Sequence, residues 1–187
     1  PITCIIGGSK ISTKINIIKN LIPKFDNIII VGGIANNVLK FKGHNIGKSI
    51  QEDNCNRIIE EIFSLSIKQN CKIFYPEDVT VGKDLNGSPK IKELNDVSED
   101  ELILDIGPKS IKNINNIIEE SKTILWNGPA GYFENPSFAK GSLEIMKKII
   151  EKNKANTIYS VAGGGDTVAL LNSVGMVNEF NFVSTAG

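Results

Sequence analysis

Three glycines, an acid and a hydroxyl stand in a row at Gly163-Gly164-Gly165-Asp166-Thr167, between the apolar runs Thr157 to Ala162 and Val168 to Leu171. The order reads as a strand, a turn the size of a phosphate, and the start of a helix. Glycines let a backbone approach a polyphosphate closely and turn with positive φ, while the free N–H groups of a helix start attract negative charge. A carboxylate beside phosphates suggests Mg²⁺. Asp166 and Thr167 also suit helix capping, and both roles are expected together. Capping alone leaves three glycines without a reason.

A second cluster, Gly7-Gly8-Ser9-Lys10-Ile11-Ser12-Thr13-Lys14, sets two lysines four apart, on one face of a first helical turn. Two ammonium groups beside glycine N–H donors would cradle phosphates. The plain alternative is a pair of solvated lysines, although cations at a helix start oppose its dipole. A third segment, Asn127-Gly128-Pro129-Ala130-Gly131-Tyr132-Phe133-Glu134, follows the single Trp of the chain, Trp126. Glu134 could accept ribose hydroxyls, with Pro129 and Tyr132 as flat walls for a base. A tight Asn-Gly-Pro turn with a surface acid fits the same letters equally well.

Two further matches fail on spacing. Gly43 to Ser49 resembles a phosphate-binding P-loop, but three residues separate its glycines where four are needed, and a helical segment precedes it rather than a strand. Lys48 is expected to be exposed. Gly163-x-Gly165-x-x-Val168 imitates a dinucleotide fingerprint, yet ends in Val where a small residue must let helix meet strand. His44, the single histidine, has no partner acid or nucleophile in sequence.

Strand-like runs are Ile2 to Ile6, Asn27 to Val31, Lys72 to Tyr75, Val79 to Val81, Leu102 to Ile106, Thr123 to Trp126, Thr157 to Val161 and Asn181 to Val183. Helical periodicity covers Ser12 to Ile22, Gln51 to Lys68, Pro108 to Ser121 and Ser137 to Lys152. Bare apolar strands joined by amphipathic helices predict an α/β fold: a three-layer sandwich, with a mostly parallel, doubly wound sheet covered on both faces. Ligands then sit at the carboxyl ends of the strands, where five of these runs end in glycine turns. Lys83 to Asp100 reads as a polar excursion.

The chain has 187 residues, 41% hydrophobic, with 21 basic and 21 acidic residues. One domain of ordinary globular composition follows, with no basic excess for nucleic acid. No run approaches the ~20 apolar residues of a membrane helix. A cytoplasmic location is the default. Cys4, Cys55 and Cys71 show no paired spacing, so buried, idle thiols are expected. The absence of an initiating Met and a last strand running into Ser-Thr-Ala-Gly suggest a piece of a longer polypeptide.

Taken in order, GGSKISTK (7 to 14), VGGIAN (31 to 36), IGKSI (46 to 50), LDIGPKS (104 to 110), WNGPAGYFE (126 to 134), FAKGS (138 to 142), GGGDT (163 to 167) and VSTAG (183 to 187) resemble the C-terminal, nucleotide-binding domain of phosphoglycerate kinase. The resemblance covers residues 1–187 and implies reversible phosphoryl transfer between MgATP and the carboxylate of 3-phosphoglycerate. By family motif, Lys10 would neutralise charge on the phosphoryl in flight, and Lys14 would hold nucleotide phosphate. Asp166 would ligate Mg²⁺, with Gly164, Gly165 and Thr167 along the phosphates. Glu134 would take the ribose, and Gly8, Gly32, Gly33, Ile50, Leu104, Asn127, Gly128, Pro129 and Tyr132 would surround the remaining nucleotide. Gly187 would close the turn that offers N–H groups to the transferred phosphoryl.

The family pattern departs at Val31 and Ala186, where glycines are usual, and the half that carries 3-phosphoglycerate is missing. The resemblance therefore implies ATP and ADP as partners, 3-phosphoglycerate only through an absent N-terminal domain, a monomer, and little activity for this chain alone. The alternative reading is a non-catalytic nucleotide-binding or interaction module derived from such a kinase.

Overall fold

The computed structural model of the chain describes residues 1–184. Its strands, in chain order, are Ile2–Ile6 (β1), Asn27–Ile30 (β2), Lys72–Phe74 (β3), Asp78–Gly82 (β4), Lys90–Glu93 (β5), Leu102–Ile106 (β6), Thr123–Asn127 (β7), Tyr159–Gly163 (β8) and Phe182–Ser184 (β9). Helices are Ile15–Leu21 (α1), Gly32–Phe41 (α2), Asn56–Lys68 (α3), Pro108–Glu120 (α4), Lys140–Lys154 (α5) and Gly165–Ser173 (α6).

Alternation along the strands dictates the layers. Side chains of one strand point to opposite faces in turn, so β1 sends Ile5 one way and Cys4 and Ile6 the other. Ile5, Ile29, Ile124 and Trp126 pack with Ile114 and Ile118 of α4, Ile145 and Ile149 of α5, and Leu170 of α6. Cys4, Ile6, Ile28 and Ile30 pack with Ile18 of α1, Ile34 and Val38 of α2, and Ile59 and Ile62 of α3. Both sheet faces are thereby covered, which is the expected three-layer α/β sandwich. The sheet is six-stranded, in the order β3-β2-β1-β7-β8-β9, and all its pairings are parallel.

The expected single sheet is divided. β4, β5 and β6 form a separate three-stranded antiparallel sheet, so the turn after Ile106 does not belong to the rim of the parallel sheet. β5 lies inside the stretch read as an excursion. Its sequence Lys-Ile-Lys-Glu offers no buried face, and Ile91 is exposed, so nothing in the letters distinguishes it from a loop. Two buried acids fasten this small sheet to the sandwich. Asp78 of β4 accepts hydrogen bonds from the N–H groups of Lys109 (3.0 Å) and Ser110 (2.9 Å), capping α4, which has no cap of its own. Asp105 of β6 accepts one from Gly141 N–H (2.9 Å) at the start of α5, which is likewise uncapped by its own neighbours.

Helix starts shift too. Gln51 to Cys55 is loop ahead of α3, with Asn54 in the left-handed region (φ 61°). A 3₁₀ turn, Ile11–Thr13, precedes α1, with Lys10 extended before it and Lys14 as the N-cap of α1. The two lysines therefore do not share one helical turn. All three cysteines are buried, as expected for idle thiols. Burial pushes Cys4 up to about 12, with help from Cys71 and against the pull of Lys14; burial also takes Cys71 to about 11.

Candidate functional site

The strand order locates the site. The chain passes from β1 to β2 and β3 on one side, then returns to β7, β8 and β9 on the other. Loops leaving β1 and β7 diverge at that switch, and a crevice for ligands opens outside it. These loops are pressed together. Gly7 N–H donates to Asn127 O (2.8 Å), and a Cβ on Gly128, whose φ is +110°, would stand 2.5 Å from the backbone of Gly7. Gly128 is further held by Trp126 Nε1, which donates to its carbonyl (2.8 Å), and by Thr167 Oγ1, which accepts from its N–H (2.7 Å).

Three glycine turns meet on one side of this crevice. Lys14 Nζ donates to Asn127 Oδ1 (3.0 Å), and its stem lies where a Cβ of Gly8 would project. Gly164, the N-cap of α6, has φ +89° and leaves no room for a side chain, since a Cβ would stand 2.9 Å from Asn127 Oδ1. A Cβ on Gly165 would meet nothing within 4 Å, so the space in front of the first turn of α6 is open.

Capping is not what Asp166 and Thr167 do. Both lie within α6, whose cap position is Gly164 with no side-chain cap bond. Thr167 is wholly buried and its hydroxyl accepts from Gly128 N–H, so its side chain supports that loop. Asp166 is exposed in the first turn. One free carboxylate beside an open helix start suits Mg²⁺, which takes one or two carboxylates together with phosphates. No cluster of three or more His, Cys, Asp or Glu fit to hold a metal exists among the described residues, so an all-protein cage is not on offer.

A cavity of about 230 Å³ opens between the sandwich and the small sheet. Its lining brings together Gly8, Gly32, Gly33, Ile50, Leu104, Pro129, Tyr132, Glu134 and Asp166 of the expected residues. Ile50 is 58% exposed at the rim, an apolar side chain with nothing of the protein over it. Lys14, Asn127, Gly128 and Gly164 sit at the adjoining edge through the contacts above, whereas Lys10 is exposed and does not line the cavity. Gly187 lies outside the described residues. Val31 keeps the ladder going, its N–H donating to Ile6 O (2.9 Å) before α2 begins. Lys48 is exposed, as its failed motif implied.

The sequence reading missed Asp105. It lines the cavity, is 3% exposed, and accepts from Ile106 N–H (2.8 Å) as well as Gly141 N–H. Burial pushes its carboxyl up to about 7, against the pull of those two donors and of Lys140. An acid in the middle of an apolar strand, Leu-Ile-Leu-Asp-Ile, was the available signal.

The sequence profile of Phosphoglycerate kinase matches residues 1–187. The chain belongs to the phosphoglycerate kinase family. A phosphoglycerate kinase of Zymomonas mobilis is 43% identical, over 100% of the chain and 48% of its own length. One from Wolbachia pipientis of Culex pipiens is 41% identical with the same coverage. Among solved structures, phosphoglycerate kinase from Coxiella burnetii superposes with a TM-score of 0.95 at 35% identity, covering 100% of the chain and 48% of the other. The Pyrococcus horikoshii phosphoglycerate kinase shares the fold at a TM-score of 0.78 and 24% identity. The chain spans about half the length of the curated relatives it matches. No helix among the described residues is long and apolar enough to cross a membrane.

Proposed function

We propose that this chain is the nucleotide-binding half of a phosphoglycerate kinase, holding MgATP or MgADP in the crevice at the β1–β7 switch. The observation that carries the reading is the convergence of Lys14, Asn127 and Gly164 beside a cavity walled by Ile50, Leu104, Pro129 and Tyr132. A cation and open helix N–H groups suit phosphates, and flat apolar walls suit a base. In the proposed reaction a carboxylate oxygen of 3-phosphoglycerate attacks the γ-phosphorus of ATP. The bond to the β-phosphate oxygen breaks, and ADP leaves with its electron pair. Lys14 orients the phosphates, Lys10 offsets charge as it develops, and Glu134 at the cavity rim accepts ribose hydroxyls. Asp166 would hold Mg²⁺, which neutralises phosphate charge when bound. The second substrate is assigned to a partner domain, so this chain alone binds nucleotide without turning over 3-phosphoglycerate, one lobe being unable to exclude water.

A melting curve with MgADP tests the reading. At ~100 times its Kd, the ligand adds ~2.7 kcal/mol of stability. In Asp166→Ala, the shift with MgADP falls to that seen with ADP alone. No shift in the wild-type chain rejects the reading. Lys14→Met keeps the stem beside Gly8 and removes the charge; its affinity for MgADP, read by calorimetry, falls about 10- to 100-fold. An unchanged affinity takes Lys14 out of the site.

A further inference from the structure

The cavity has two sides, and the protein holds them by different bonds. On the phosphate side, Gly128 N–H is tied to Thr167, and Asn127 to Lys14. On the other side, the loop from Pro129 to Glu134 is fixed by a closed triangle. Ala130 N–H donates to Ser142 Oγ (2.8 Å) in the first turn of α5. Gly141, one residue earlier, donates to Asp105 Oδ2 (2.9 Å) on β6. Tyr132 N–H donates to Leu104 O (2.7 Å), back on the same strand. Ser142 is wholly buried, and Asp105 nearly so.

No slack remains inside the triangle. A Cβ on Gly131 would run into Leu104 O and stand 2.9 Å from Asp105 Oδ1, and one on Gly141 would overlap the same oxygen. A buried N–H that loses its acceptor is costly, so Ala130 moves toward water if Ser142 is cut back. Tyr132 and Glu134 move with it.

We propose that Ser142 and Asp105 are positioning residues for the loop Pro129 to Glu134, setting the wall that receives base and ribose independently of the phosphate side. This rests on the nucleotide reading above. Ser142 does not line the cavity, and Asp105, at its wall, holds the loop through Gly141 and α5; in this role each acts through the loop.

Calorimetry on the 187-residue chain with two probes, MgADP and magnesium pyrophosphate, tests it, because pyrophosphate has neither base nor ribose. Ser142→Ala is expected to weaken MgADP about five- to tenfold, the worth of one neutral hydrogen bond, and to leave pyrophosphate within about twofold. Asp105→Ala behaves alike, and Asp105→Asn, which keeps an acceptor for Gly141, restores most of the loss. Unaltered MgADP binding in Ser142→Ala overturns the proposal, as does an equal loss for both probes, which marks a general loosening. Wild-type binding of MgADP without pyrophosphate also counts against it, since the phosphate side then has no independent hold. Should Asp105→Ala fail to fold, Ser142→Ala, which removes a single atom, decides. A wild-type chain that binds neither probe overturns the nucleotide reading itself, and the clamp with it.

Discussion

Gly128→Ala unfolds at a much lower denaturant concentration than the wild type, with a loss of about 3 to 5 kcal/mol. Two effects add. At φ +110° an alanine is strained wherever it stands, and here its Cβ would lie 2.5 Å from the carbonyl of Gly7. That neighbour is backbone, pinned by its own N–H to Asn127 O (2.8 Å), and cannot swing aside as a side chain could. The loops of β1 and β7 must separate, taking with them the bonds of Gly128 to Trp126 and Thr167. Gly165→Ala is the control. Its Cβ meets nothing within 4 Å, so stability changes by less than about 1 kcal/mol while nucleotide affinity drops. A wild-type midpoint for Gly128→Ala would mean the two loops part freely.

Stability of the wild type relative to Asp105→Asn falls as pH rises. The carboxyl stands near 3.8 in the unfolded chain and at about 7 in the fold, where burial outweighs Gly141 and Ile106 N–H and the charge of Lys140. The folded state thus holds its proton more tightly, an advantage fully present below about pH 4 and lost as pH rises through about 7. A displacement of that size corresponds to on the order of 4 kcal/mol across the window. Denaturation midpoints of both chains, taken from pH 4 to pH 8, give the difference directly. A difference independent of pH means that Asp105 is ionised throughout.

Much of this was legible in the letters because the signals were local. β1, β2 and β7 are bare apolar runs that lead into glycine turns, so the strands and the rim of the crevice could be read in advance, though not their order in the sheet. Sheet membership could not. β6 is as apolar as β1, with Ile103, Leu104 and Ile106, yet its partners lie in a second sheet, and pairing is decided over distances that periodicity does not see. Most of the motif residues are brought to one crevice, but their tasks are less legible. The family motif implies a phosphate contact for Thr167; only the fold reveals that its hydroxyl turns inward to Gly128. Asp105 went unnoticed for the converse reason. Its distant donor, Gly141, stands 36 positions further along, and sequence spacing carries no trace of that approach.

The small sheet owes its place to Asp78 and Asp105, each ending on a helix of the main body. Its own apolar cluster is modest, Val79 and Val81 with Leu39, Ile46 and Val97, and Leu39 belongs to α2. Strands so dependent on borrowed contacts have no means of persisting while the sandwich is open. Their amides should therefore exchange with solvent as one cooperative unit with the first turns of α4 and α5, so the roof over the crevice opens together with the helix ends that hold it.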